Sequence, residues 1–213
     1  MPDAHRVGRV IRLPSVLVAL VLLAASLLLA APAESATSPW RGVLTFDKNW
    51  QNPANSRLTW QLLQRQPDGA WKTVEKHYWR SGSGMLGRAG RNSCVNNQGW
   101  LPNGTYALRQ YDNYGGNLIK GSAFRLDDKR CASGNGRSDL FIHTEQGAGN
   151  RQCADRRGDQ VCRWEYPRFN DYKSAGCIKL APGALAQLTA FYHRHFAAGV
   201  RYSKDRVVLR VVD

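Results

Sequence analysis

Short apolar runs alternate with polar turns along most of the chain, a pattern typical of β-strands. These runs are rich in β-branched and aromatic residues, and Asn, Pro, Asp or Gly bound them. A further strand is expected to follow the turn within residues 101–108. The pattern therefore predicts a mainly β protein (a β-rich α+β fold). The predicted strands are residues 42–46, 58–63, 71–79, 122–126, 139–144 and 206–212.

One stretch near the C-terminal side has a helical period instead. It follows Pro182-Gly183, its apolar residues recur three or four positions apart, and Gly199 is a suitable stop. The recurring residues are Leu185, Leu188, Tyr192 and Phe196. We expect one or two helices in all. With no internal repeat and no linker, residues 34–213 are predicted to form one domain.

The first 33 residues have the three-part layout of a secretory signal peptide. Three arginines precede the apolar residues 16–30, and Ala31-Pro32-Ala33 offers the small residues that a signal peptidase reads. An uncleaved anchor is the alternative, but the apolar run is shorter than the about 20 residues of a membrane span. We predict cleavage, secretion and no membrane contact afterwards.

The net charge of the chain is +14. Residues 1–33 contain three arginines and one aspartate, so the remainder carries about +12. This charge suits the anionic polymers of a bacterial wall, although a merely soluble surface is the alternative. Because the basic residues are scattered rather than clustered with aromatic ones, no nucleic-acid partner is expected.

Five cysteines leave one unpaired if the others form disulfides, as cysteines outside the cell tend to do. Cys153 and Cys162 flank a short polar loop, and Cys94 and Cys131 lie in stretches rich in Gly, Asn and Ser. We predict these two pairs and a free Cys177, although sequence alone does not fix connectivity. The eight residues between Cys153 and Cys162 do not fit a zinc knuckle, so no metal site is predicted.

The free Cys177 has a candidate partner in His143, at the end of an apolar strand. A cysteine attacks as its thiolate, and an imidazole can take the proton and return it to a leaving amine. Gly176 lets a substrate approach the backbone closely. The alternatives are that Cys177 packs as a small apolar residue and that His143 is satisfied in the core.

The blocks Phe141-Ile142-His143-Thr144 and Ser174-Ala175-Gly176-Cys177-Ile178-Lys179-Leu180 resemble the signature of the L,D-transpeptidase catalytic domain, a family that remodels bacterial peptidoglycan. Two upstream blocks, residues 80–84 and residues 99–106, resemble further family segments. The resemblance covers roughly residues 45–188 and implies an L,D-transpeptidase-like β-sandwich.

The resemblance also implies catalytic roles. Cys177 would be the nucleophile and His143 the general base and acid, oriented by Thr144 through its backbone carbonyl. Gly176 and Cys177 would supply oxyanion N–H groups, and Ser174 would shape the loop.

Substrate contacts are implied as well. Lys179 would lie near the anionic stem peptide, with a solvated surface charge as the alternative. The gap of 34 positions between His143 and Cys177 is longer than usual, and a disulfide-stapled insertion at residues 153–162 would account for it. Trp164 and Tyr172, with Tyr166, would line this lid, with aromatic core packing as the alternative. Ala175 stands where most family members have His.

The reaction implied by the resemblance is acyl transfer through a thioester on Cys177, giving cross-links or trimmed stem peptides, without metal or organic cofactor. The protein would be a monomeric, wall-associated enzyme that carbapenems acylate. The alternatives are a peptidoglycan hydrolase or antibacterial effector with the same Cys–His pair, and a non-catalytic wall-binding protein.

Overall fold

The computed structural model describes residues 38–213, and residues 39–213 form one compact unit. The signal peptide predicted at residues 1–33 lies outside the described residues. No helix in the described part is long and apolar enough to cross a membrane.

Strands dominate this part of the chain. β1 to β6 are Trp40–Asp47, Ser56–Arg65, Trp71–Gly82, Gly104–Tyr106, Leu108–Gly115 and Lys120–Leu126. β7 to β11 are Lys129–Arg130, Gly136–Arg137, Phe141–His143, Ile178–Leu180 and Val207–Val212. The helices are the single turn α1 at Gly87–Gly90 and the longer α2 at Pro182–His193, with 3₁₀ turns at Pro53–Asn55 and Ala148–Asn150.

Nine of these strands form one sheet in the order β4-β11-β1-β2-β3-β10-β9-β6-β5. The pairs are antiparallel except β1 with β11 and β9 with β10, which are parallel. β4 and β5 lie at opposite ends of this order, yet only Ala107 separates them in the chain. The sheet must therefore curl until its two ends meet, which wraps it around a single core. β7 and β8 form a separate two-stranded ribbon.

Helix α2 closes this core. Its buried residues are Leu185, Leu188 and Tyr192, and Pro182 in its first turn suits a helix start. The Tyr192 ring packs edge-on against Phe124 of β6 with centroids 5.3 Å apart. Phe196, just beyond the helix, packs edge-on against the buried Trp60. The predicted mainly β fold with one main helix is confirmed.

The elements differ from the prediction in several places. β3 runs on to Gly82, and β5 reaches Gly115. The three-residue β10, wholly buried, follows directly after Cys177 and was not predicted as a strand. The helix ends at His193, six residues before the predicted stop at Gly199. Gly199 itself has a backbone φ of +74°.

The cysteines pair as predicted. Disulfides join Cys94 to Cys131 and Cys153 to Cys162, with Cα atoms 5.3 and 5.7 Å apart, and Cys177 is free. The first bridge joins the loop after α1 to the ribbon of β7 and β8. The second pinches an insertion between β9 and β10.

Candidate active site

Two short parallel strands bring Cys177 and His143 together. Ile178 of β10 lies beside Ile142 of β9, and Lys179 lies beside His143. Since side chains alternate along a strand, Cys177 and Lys179 point to the same face as His143. All three side chains line one cleft of about 820 Å³.

The cleft has two apolar walls that rise from different parts of the fold. One is the turn between β5 and β6, which includes the 72% exposed Leu118. The other is the Cys153–Cys162 insertion, which contributes the 54% exposed Val161. The insertion therefore borders the cleft at its side, and Cys177 remains accessible at its floor.

Ser174 fixes the shape of the loop before Cys177. Its hydroxyl donates to the Cys177 carbonyl at 2.6 Å and accepts the N–H groups of Gly84 and Gly176 at 3.2 and 3.1 Å. The Gly176 N–H is thus occupied, and the oxyanion role predicted for it does not fit this structure. Gly176 is needed for its conformation instead, because its φ is +127° and an added Cβ would collide with the Arg137 guanidinium.

Three of the four sequence blocks that carry the family resemblance meet at this loop. Ser83, from the end of β3, donates to the Gly176 carbonyl at 3.1 Å and accepts the Leu101 N–H at 3.0 Å. The Ser174 N–H donates to the Gly84 carbonyl at 3.0 Å. Three segments that are distant in sequence therefore contact one another directly behind Cys177. They are residues 80–84, 99–106 and 174–180.

Arg137 is a site residue that the sequence did not single out. It is only 5% exposed, and its guanidinium donates to the carbonyls of Gly99 at 2.9 Å, Ala175 at 2.8 Å and Ser93. It thereby connects the loop before Cys177 to the disulfide-linked segment at Cys94. Nothing local in the sequence indicates these contacts, because the three acceptors lie in distant segments.

His143 is held in one orientation in the cleft floor. Its Nδ1 lies 2.9 Å from the Thr144 carbonyl oxygen, which can only accept, so Nδ1 carries the proton of the neutral ring and Nε2 is left as the acceptor. Burial and the nearby Lys179 ammonium lower the pKa of His143 to about 3, against the opposing effect of the Thr144 carbonyl. The imidazole is therefore neutral at pH 7.

The Cys177 thiol is also neutral. Burial raises its pKa to about 11, while the Phe141 N–H and the Lys179 and Arg137 cations act in the opposite direction. In the described part of the chain the thiol donates to the Asp139 carbonyl at 3.6 Å and not to the imidazole. The site thus holds a neutral thiol beside a neutral imidazole.

This resting state predicts a steep pH dependence for alkylation of Cys177. With a pKa of about 11, the thiolate fraction at pH 7 is on the order of 10⁻⁴, so iodoacetamide should react slowly. The rate should rise about tenfold per pH unit up to about pH 10, because the thiolate is the reacting form. Mass spectrometry of the modified peptide measures it. A rate that levels off below pH 8 would instead indicate a preformed thiolate.

Lys179 differs from both interpretations of its sequence position. It is buried and forms an ion pair with Glu145, two residues beyond His143. It is neither a solvated surface charge nor a free cation waiting for an anionic peptide. Its ammonium reaches the site electrostatically, lowering the pKa of both His143 and Cys177.

Trp164 and Tyr172 are not among the cleft-lining residues, so their predicted role in binding substrate is not supported. Their rings meet edge-on with centroids 4.9 Å apart, and Tyr172 also packs on Tyr166. The Arg80 guanidinium lies 4.3 Å from the centroid of the Tyr172 ring. The aromatic residues therefore form a packed cluster, the alternative given for them above.

Comparison of the chain with protein-family models, with curated proteins and with solved structures finds no significant match. A function inferred from the motif resemblance therefore stays an expectation.

Proposed function

We propose that the protein is an exported cysteine acyltransferase of the L,D-transpeptidase type, acting on peptidoglycan stem peptides. One observation carries the proposal. The single unpaired cysteine among the described residues shares a cleft floor with His143 on an adjacent parallel strand. The other three motif blocks contact one another behind it.

In the proposed reaction the Cys177 sulfur attacks the carbonyl carbon between a meso-diamino acid and a D-alanine. Nε2 of His143 takes the thiol proton and delivers it to the departing D-alanine amine as the peptide bond breaks. A thioester remains on Cys177. An amine of a second stem peptide, or water, then attacks this thioester and regenerates the thiol.

The chain also carries positive potential where negative charge develops. Arg137 and Lys179 both favour the Cys177 thiolate, and the same potential favours an oxyanion formed beside it. With the Gly176 N–H bound to Ser174, the Cys177 N–H is the remaining donor of the two predicted. An acidic stem peptide also suits the basic chain as a partner.

The cellular location is part of the same proposal. Two disulfides and the absence of a membrane-spanning helix among residues 38–213 are compatible with an extracytoplasmic protein. Secretion through the predicted signal peptide, and association with anionic wall polymers, complete the proposal.

Incubation with purified tetrapeptide muropeptides tests the activity. We expect cross-linked dimers or tripeptide products, with release of D-alanine, because both outcomes pass through the same thioester. A carbapenem should add its own mass to the intact protein, with the adduct on Cys177. Mass spectrometry distinguishes the products and maps the adduct.

The same experiment distinguishes the alternatives. Trimmed monomers alone would indicate a carboxypeptidase or hydrolase that uses the same pair. Binding to sacculi with neither product nor carbapenem adduct would contradict the proposal and favour a non-catalytic wall-binding protein.

A further inference from the structure

Three carboxylates from separate segments meet beside the candidate active site. One oxygen each of Glu145, Asp159 and Asp171 lies within 4.8 Å of the others. Glu145 follows β9, Asp159 lies in the Cys153–Cys162 insertion, and Asp171 precedes the nucleophile loop. These three carboxylates are far apart in the sequence, so no ligand spacing indicates the cluster.

Asp171 presents a buried oxygen without a partner. The residue is 1% exposed, and its Oδ2 accepts the N–H groups of Tyr166, at 2.8 Å, and Glu165. Its Oδ1 is buried and has no hydrogen-bond partner among the described residues. With Oδ2 committed to the backbone, Oδ1 is the atom left to serve the cluster.

Glu145 also has one carboxylate oxygen that is bonded and one that is buried without a partner. It is 8% exposed, and its Oε1 pairs with the Lys179 ammonium, while its Oε2 is buried and lacks a partner in the described part of the chain. Buried carboxylate oxygens are costly to leave unpaired, so each of these two oxygens requires a partner that the described protein atoms do not supply.

The two neighbouring lysines do not neutralise the cluster. Lys179 pairs with Glu145, and Lys173 lies 3.3 Å from Asp159 Oδ2, so two ammonium groups face three carboxylates. Neither lysine is bonded to Asp171 Oδ1 or to Glu145 Oε2. The uncompensated charge and the two unpartnered oxygens therefore belong to residues of the same cluster.

We propose that Glu145, Asp159 and Asp171 bind a calcium ion. Carboxylate oxygens are the ligands of hard cations, and an all-oxygen set is unsuited to soft ions. Ca²⁺ binds oxygens at about 2.3–2.6 Å, so two oxygens on opposite sides of it are about 5 Å apart, which accommodates the spacing seen. Its tolerance of irregular geometry also suits ligands from three segments.

The ion would link the Cys153–Cys162 insertion to the end of β9, which carries His143. The insertion contributes Val161 to the cleft wall, and Asp159 is two residues before it. A cation shared with Glu145 and Asp171 would hold this wall at a fixed distance from Cys177. The affinity should be in the range of extracellular calcium modules, about 10⁻⁴–10⁻³ M.

Terbium luminescence tests the site without reference to catalysis. Tb³⁺ replaces Ca²⁺ at oxygen sites, and the ring pair of Trp164 and Tyr172 lies next to Asp171 and can sensitise it. Titration of Tb³⁺ into the oxidised protein, excited at the tryptophan band, should give saturable emission. Ca²⁺ should then displace the terbium and quench that emission.

The exposed Asp159 provides the variant that should remain folded. Asp159→Asn should weaken Ca²⁺ competition at least about tenfold, since one of three charged ligands is lost. The matched control is Asp155→Asn in the same insertion, where the carboxylate pairs with Arg168 outside the cluster. It should bind as the wild type does.

Absence of sensitised emission, or emission that Ca²⁺ does not reverse, would overturn the site. Equal affinity in the wild type and in Asp159→Asn would overturn it as well. Because emission is measured without substrate, and equally in a Cys177→Ala background, these results are independent of the proposed acyltransferase activity.

Discussion

Cys177→Ala should abolish product formation from tetrapeptide muropeptides, with a loss of at least about 10³-fold in kcat, because no other thiol in the described part of the chain can form the acyl-enzyme. The carbapenem adduct should disappear in parallel. Product analysis and intact-mass measurement both report the change.

This loss is informative only if the fold survives. Cys177 is half-buried and engages in one weak hydrogen bond, so its truncation should change the free energy of unfolding by no more than about 1 kcal/mol. Denaturation curves and retention of both disulfides serve as controls. Full activity in a folded Cys177→Ala variant would refute the assignment of the nucleophile.

Arg137→Ala should give the largest combined loss of stability and activity among the positioning residues. It leaves the Ser93, Gly99 and Ala175 carbonyls without their shared donor, which should cost about 3 kcal/mol. The nucleophile loop would then be free to shift, and a displacement of about 1 Å can reduce kcat about 10²-fold. Chemical denaturation and carbapenem acylation rates measure the two effects.

Two further variants separate positioning from general destabilisation. Arg130→Ala removes an exposed arginine of the same ribbon, whose side chain donates to the Gly134 carbonyl, and should be close to wild type in both measurements. Arg137→Lys keeps the charge near Cys177 but loses the planar guanidinium group that donates to several carbonyls at once. At a temperature where it is fully folded, it should still acylate slowly, while the pH profile of Cys177 alkylation stays near that of the wild type. Acylation at the wild-type rate would contradict the positioning role.

Features governed by local pattern were predictable from the sequence. Alternating apolar residues identified most strands, the helical period identified α2, and the composition around the cysteines led to both disulfide pairs. These features depend on neighbouring residues, so a single sequence contains them. The strand β10 could not be predicted, because three buried residues are too few to show a period.

The parts of the site that depend on contacts between distant segments were not predictable. The role of Arg137 depends on contacts with Gly99 and Ala175, which lie in distant segments. Lys179 is predicted near an anionic peptide, or as a surface charge, because its partner Glu145 lies 34 positions away. The sequence predicts Trp164 and Tyr172 on a lid, whereas Trp164 packs against Tyr172, and Tyr172 in turn packs on Tyr166 and Arg80.

The raised pKa of Cys177 has a consequence for how the chain matures. Disulfide exchange proceeds through thiolates, so a cysteine that stays protonated near neutrality reacts slowly with its oxidised neighbours. Once folded, the chain can keep one reduced sulfur in an oxidising compartment without scrambling the Cys94–Cys131 and Cys153–Cys162 bridges. The environment that slows the resting nucleophile therefore also preserves it for use.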